Sequence, residues 1–208
     1  MMFVIPTTAI PFIRLQRTEY GNADVTEAYA KDIKQEFESL KPHLPRRVYC
    51  MADIGCGVAG IDAFLYPYLE KPDMYLVDKG KPSAKLFYGF HDEAAFYNDF
   101  DEMKKLLLVN NVEERHIHPI EVGKNNRIRI LGPLELVISL YSWGFHYPVA
   151  TYVAKVADVL STEGVLILDV RNGTGGEKDL QEHFAVVKEI GHGPKHIRYL
   201  CRLQSEAV

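Results

Sequence analysis

The segment Asp53-Ile54-Gly55-Cys56-Gly57-Val58-Ala59-Gly60 constrains this chain more than any other. It sets glycines at the spacing G-x-G-x-x-G straight after a short apolar run, Val48 to Ile54, and before a stretch, Ile61 to Glu70, that reads as a helix which Pro67 should end or kink. Glycines so placed give a tight turn, let a ligand approach the backbone, and let a helix pack closely on a strand. The apolar run shows no clear alternation, as expected of a strand covered on both faces. A strand, a glycine turn and a helix in that order predict a parallel sheet whose ligand lies beyond the carboxyl ends of the strands.

The rest of the chain supports that frame. Asn22 to Glu27 offers a capping box, after which Val25, Tyr29, Ile33, Phe37 and Leu40 recur at helical spacing until Pro42. Met74 to Asp78 reads as a second buried strand and Ile117 to Val122 as a third. Between them a helix is predicted with Asn98 as its cap, Asp101 and Glu102 in its first turn, and Phe100, Met103, Leu106 and Leu107 on its buried face. Leu134 to Leu140 and Gly164 to Arg171 are further strands, separated by a helix with Val149, Tyr152, Val153, Val156 and Leu160 on one face. Stretches 184–190 and 196–203 flank the turn Gly191 to Pro194 and suggest a terminal hairpin. Strands alternating with helices imply an α/β three-layer sandwich around a mostly parallel sheet.

At 208 residues the expectation is a single domain, with residues 1–45 as a helical extension and 46–208 as the ligand-binding core. The apolar start, Met1 to Arg17, is broken by Pro6 and Pro11 and lacks a charged leader, so it reads as part of the domain and not as a secretory signal. A net charge of −4 gives no global attraction to nucleic acid or to an anionic membrane surface, and no run approaches a membrane span. Cys50, Cys56 and Cys201 have no C-x-x-C spacing, against a disulfide framework or a structural zinc site, and a reducing cytoplasm suits them. His116 with His118, and His192 with His196, lack a third ligand at a recognisable spacing, so no metal is expected. Lys79 to Lys85 and Lys124 to Arg129 read as solvated loops, and Asn172 to Gly176, without a phosphate-loop lysine, reads as a mobile connector.

The glycine spacing alone suits NAD as well as S-adenosylmethionine. Asp53 separates them, because a carboxylate two residues before the first glycine would repel a pyrophosphate in a poorly solvated cleft yet attract an ammonium and a sulfonium. Asp78 closes the second strand 25 residues after Asp53, near the distance at which an acidic residue meets a ribose hydroxyl in nucleotide-binding folds.

Asp53-Ile-Gly-Cys-Gly57, the acidic end of Tyr75 to Asp78, and Leu134 to Leu140 resemble the successive motifs of class I S-adenosylmethionine-dependent methyltransferases over roughly residues 45 to 203. The resemblance implies a Rossmann-like seven-stranded sheet with its last strand antiparallel. It also implies that Asp53, Gly55 and Gly57 face the methionine part of the cofactor, Asp78 the ribose hydroxyls, and Glu121 or its neighbours the adenine; Cys56 within the loop, Lys79 beside Asp78 and Ser139 at the end of the fourth strand are further candidates for cofactor contact. The sequence departs from the family where a third glycine commonly follows Gly57 by two: Ala59 stands there, then Gly60.

The loop Tyr141-Ser-Trp143-Gly-Phe-His146-Tyr147-Pro148 stands where the family meets its methyl acceptor, and Ser139 to Pro148 resembles sequences of sugar and small-molecule O-methyltransferases. Tyr141, Trp143 and Tyr147 would shape the acceptor pocket. His146, whose side-chain type titrates near neutrality, is the candidate base for a hydroxyl acceptor. The loop lacks the Asn/Asp-Pro-Pro-aromatic pattern of enzymes that methylate the amino groups of nucleic-acid bases. The expectation is thus an enzyme that moves a methyl group from S-adenosylmethionine to a small-molecule hydroxyl, leaving S-adenosylhomocysteine. Its rivals are methylation of a protein or RNA nitrogen, a non-catalytic cofactor-binding module, and a nicotinamide-dependent oxidoreductase. The helix of residues 24–40, with Arg14 and Tyr20 before it, is expected to cover the cleft as a lid.

Overall fold

The computed structural model describes residues 3–21, 24–80, 90, 98–123 and 126–204. Its strands are β1 (Cys50–Ile54), β2 (Asp73–Asp78), β3 (Ile117–Glu121), β4 (Leu134–Ser139), β5 (Leu160–Arg171), β6 (Val186–His192) and β7 (His196–Arg202). They form one seven-stranded sheet in the order β3-β2-β1-β4-β5-β7-β6. All neighbours through β5 are parallel, and β7 alone runs against the rest. The winding reverses between β1 and β4, so a crevice opens beyond their carboxyl ends.

Among the described residues the helices are α1 (Ile10–Gln16), α2 (Val25–Leu40), α3 (Gly60–Tyr68), α4 (Phe100–Val109), α5 (Val153–Val159) and α6 (Gly176–His183). Successive strand residues point to opposite faces, and both faces are apolar. Met51, Leu136, Ile138 and Ile167 join one cluster with α1 to α4, while Ala52, Val137, Leu166 and Leu168 join another with α5 and α6. This double burial is why the strand sequences show no polar alternation. No helix among the described residues is long and apolar enough to cross a membrane.

α2 follows its sequence closely. Asp24 caps it by accepting from the amides of Thr26 and Glu27, and its buried residues are Val25, Tyr29, Ile33, Phe37 and Leu40. Other boundaries differ for local reasons. α4 is capped by Asp99 and not by Asn98, because the Asp99 carboxylate reaches the amides of Asp101 and Glu102 at 2.9 and 3.3 Å. Asn98 is instead wholly buried. Pro67 does not end α3 before it: it lies in the last turn, and the amides of Leu69 and Lys71 still reach Leu65 and Tyr66 at 2.8 Å. Leu160 has left the helix and opens β5 opposite Leu134, although its side chain shares the core of α5.

Two helices were not foreseen. Pro11, read as an interruption, sits in the first turn of α1, where a missing amide hydrogen costs little. α6 buries only Gly176 and Leu180, too few to give a periodic signal, and it follows the turn of Gly173 and Gly175 at positive φ within the supposed connector.

Candidate functional site

A cavity of about 900 Å³ lies beyond the carboxyl ends of β1, β2, β4 and β5. Its floor is the glycine loop with Asp53 and Asp78, one wall is the loop after β4, and the far end is Arg171 with Pro194 to His196. α1 and α2 close the remaining side through Gln16, Arg17, Tyr29 and Glu36.

The glycine loop turns through Gly55, Gly57 and Ala59 at φ of 82°, 54° and 58°. A Cβ on Gly55 would collide with the Ser142 side chain, and one on Gly60 with the Tyr29 hydroxyl. One on Gly57 would stand 2.8 Å from Gln16 Oε1. Gly55 is thus required by the turn and by Ser142, Gly57 by the turn, and Gly60 by the Tyr29 ring packed against it. Ala59 accepts the left-handed conformation that the family's usual glycine would adopt more readily.

Five of the six amides from Gly55 to Gly60 are already engaged. Those of Gly55 and Cys56 donate to Val77 O at 2.7 and 3.3 Å, that of Ala59 to Cys56 O at 2.8 Å, that of Gly57 to Asp78 Oδ2 at 2.9 Å, and that of Gly60 to the Tyr29 hydroxyl. A pyrophosphate depends on free amides at this helix start. The loop sets carboxylates beside them, which suit a cationic ligand better than a pyrophosphate.

Asp53 and Asp78 are 4% and 5% exposed. Burial, then neighbouring Asp62, pushes the Asp53 carboxyl well above its ordinary range. Burial pushes Asp78 up to about 6, against the opposing effect of the Lys79 and Gly57 amides, which donate to it. Asp62, in the first turn of α3, is wholly buried and pushed up to about 7.

The loop after β4 is held from below. The Ser139 hydroxyl donates to Ile54 O at 2.6 Å and accepts from the Trp143 amide at 3.0 Å, and the Trp143 indole donates to Val149 O at 2.9 Å. Tyr141, at φ 54°, donates its amide to Asp169 Oδ2 at 3.2 Å. Asp169 also receives a two-pronged bond from Arg198, Nε to Oδ1 at 2.7 Å and Nη2 to Oδ2 at 2.8 Å. Arg198 extends to Glu36 and, at 3.2 Å, to Ser39 Oγ on α2. One buried network thus ties the hairpin, β5, the loop and the covering helix. Above it, the guanidinium of Arg17 lies 5.2 Å from the Tyr141 ring centre and that of Arg171 5.1 Å from the Phe145 ring centre.

The fold brings Asp53, Gly55, Cys56, Gly57, Asp78, Tyr141, His146 and Tyr147 around this one cavity. Four expected residues lie elsewhere. Ser139 and Trp143 do not line the cavity; both are fully buried, with their polar atoms bonded to backbone, so they hold the loop from beneath. Glu121 is exposed at the sheet end beside Asp78, and Lys79 contributes its amide to Asp78; neither lines the cavity. Of the expected cover, Arg17 rather than Arg14 reaches the cavity, while Tyr20 donates to the cavity-lining Asp32 at 2.7 Å.

His116 and His118 both contact Asp73 Oδ1 at 3.0 Å, and His196 faces the cavity while His192 is exposed. Among the described residues no cluster of His, Cys, Asp or Glu is arranged to hold a metal ion. Lys81 to Lys85 and Lys124 lie outside the described residues. Asp62, Asp169 and Arg198 were not singled out from the sequence: Asp169 and Arg198 meet across two strands 29 residues apart, and Asp62 meets Asp53 only because the glycine loop folds α3 back on β1.

No family model matches the sequence, and no curated protein matches it significantly. Solved structures do resemble it. The Geobacter metallireducens precorrin-6y C5,15-methyltransferase superposes with TM-score 0.54 at 15% identity, over 96% of this chain and 93% of its own. A candidate O-methyltransferase from Nostoc punctiforme gives TM-score 0.59 at 11% identity over 83% of this chain, and the B. subtilis M1A22 tRNA methyltransferase TrmK gives 0.54 at 15% over 81%. This chain spans 56% and 65% of the lengths of those last two, less than two thirds of either. Taken with the strand order and the glycine loop, these likenesses establish that the chain has the fold of the class I S-adenosylmethionine-dependent methyltransferases.

Proposed function

We propose that the chain is an S-adenosylmethionine-dependent methyltransferase acting on a hydroxyl of a small molecule, with S-adenosylhomocysteine as the other product. The observation that carries this reading is that one cavity joins a carboxylate-lined glycine loop, most of whose amides are engaged, to an aromatic loop bearing His146. When bound, S-adenosylmethionine supplies an electrophilic methyl group on a sulfonium. Asp53 offers its charge to the cofactor's ammonium end. Asp78, braced by two amides, keeps lone pairs for the ribose hydroxyls. Tyr141, Phe145 and Tyr147 exclude water from the reacting pair, and alignment of acceptor and methyl group supplies much of the rate. His146 takes the acceptor's proton as the hydroxyl attacks. Residues 1–45 act as the cover, through α1 and α2.

The fold alone does not select the acceptor, since proteins sharing it are described as acting on a precorrin and on tRNA. The net charge of −4 favours a small molecule over RNA, and a soluble intracellular setting suits the free cysteines. The test is mass spectrometry of whatever co-purifies, followed by calorimetry with S-adenosylmethionine and NAD. Binding of the first and not the second supports the cofactor assignment; the reverse overturns it. Turnover of hydroxyl acceptors with none on RNA or protein supports the acceptor class, and absence of turnover with any acceptor points to a non-catalytic binding module.

A further inference from the structure

Asp62 has no place in the account above, yet it is the most anomalous side chain near the site. It is wholly buried in the first turn of α3, and among the described residues neither carboxyl oxygen has a donor in good hydrogen-bonding geometry; apart from Asp53, only its own amide acts to favour the charged form. Its carboxyl group faces that of Asp53, which lines the cavity from the end of β1. Two buried carboxylates in contact cannot both hold their charge cheaply, and a single shared proton resolves the contact by making one of them a donor.

The other groups facing this pair offer little compensation. Asp78 at the end of β2 adds a third carboxyl. Cys56 in the loop is a buried thiol, and Tyr29 on α2 is a buried phenol whose hydroxyl accepts from Gly60; burial pushes both well above their ordinary ranges. Arg17, which lines the same cavity, acts by its charge on the Tyr29 phenol. His146, across the cavity, belongs to the acceptor wall.

We propose that Asp62 is a positioning residue for the cofactor site: it shares one proton with Asp53 in the free protein, and that proton leaves to solvent when a cationic ammonium settles on Asp53. This rests on the cofactor reading above. Cofactor binding then releases a proton, and affinity rises with pH across the range in which the free pair titrates. No covalent step is involved. The ammonium supplies the positive charge that the departing proton removes.

Calorimetric titration of the full chain with S-adenosylhomocysteine, which carries the ammonium but no sulfonium, tests this without turnover. Run near pH 6.5 in two buffers of different ionisation enthalpy, the apparent enthalpies should differ by the equivalent of up to about one proton released per ligand. Asp62→Asn keeps the shape and donates an amide hydrogen to an ionised Asp53. It should abolish the buffer dependence and flatten the pH profile of affinity while still binding. Asp62→Leu guards against a trivial folding effect: circular dichroism and its melting temperature report whether the fold is intact. Binding of wild type with no proton release, or release undiminished in a folded Asp62→Asn variant, overturns the shared-proton inference alone. Failure of wild type to bind at all overturns the cofactor reading instead.

Discussion

At the glycine-loop end of the cleft most amides are bonded to protein and the accessible charge is carboxylate, whereas at the acceptor-loop end two guanidinium groups lie over aromatic rings and the buried charges are already paired. The first end gathers buried carboxyl groups whose charged form a cation would favour. The second spends its carboxylate, Asp169, on Arg198 and on the Tyr141 amide, so its charge holds the shape of the loop. A cofactor pocket of fixed chemistry and an acceptor pocket of variable chemistry call for such a division, with recognition in one and scaffolding in the other.

The largest expected break in this comparison is His146→Ala. Turnover should fall about 10²- to 10⁴-fold, while cofactor affinity measured by calorimetry stays within about twofold. Undiminished turnover would remove the proposed base. Next, Arg198→Met leaves Asp169 buried without its partner. Loss of one member of such a pair costs about 3–5 kcal/mol, seen as a fall in melting temperature of roughly 6–20 °C for a chain of this size. An unchanged melting temperature would show that the network does not hold the loop.

Asp53→Ala should weaken cofactor binding about 100-fold, or about 2.7 kcal/mol, without a comparable loss of stability, since it deletes a strained charge. Equal affinity by calorimetry would refute the acidic floor. A smaller effect is the pH dependence of the free protein. Asp62 and Asp78, raised to about 7 and about 6, bind protons more tightly folded than unfolded, so their contribution to stability is present at acid pH and lost as pH rises through those values. Melting temperature should therefore decline between pH 5 and pH 8, and Asp62→Asn should flatten the decline. The smallest effect is that of Ser139→Ala, which leaves the Trp143 amide unpaired. It should cost about 1–2 kcal/mol in denaturant unfolding and leave cofactor affinity unchanged.

The legible parts of this protein were those in which neighbours along the chain cooperate. The five buried residues of α2, the two-faced strands and the glycine turn are local patterns, read from period and spacing. The site divided along the same line. Asp53 and Asp78 were found because each ends a strand, and strand ends in this topology meet the crevice. Trp143 and Ser139 belong to the loop that reaches the cleft but themselves turn inward to bond backbone groups beneath it, which spacing along the chain does not announce.

The sequence by itself determined the sheet, its two covering layers and the acidic glycine loop, because period and turn chemistry act over a few residues. Tertiary structure alone decided that Asp62 of α3 opposes Asp53 of β1, that Arg198 of β7 binds Asp169 and Glu36, and that Tyr29 of α2 closes the start of α3. Those encounters join residues of different elements, and only the packing of strands and helices sets their distances.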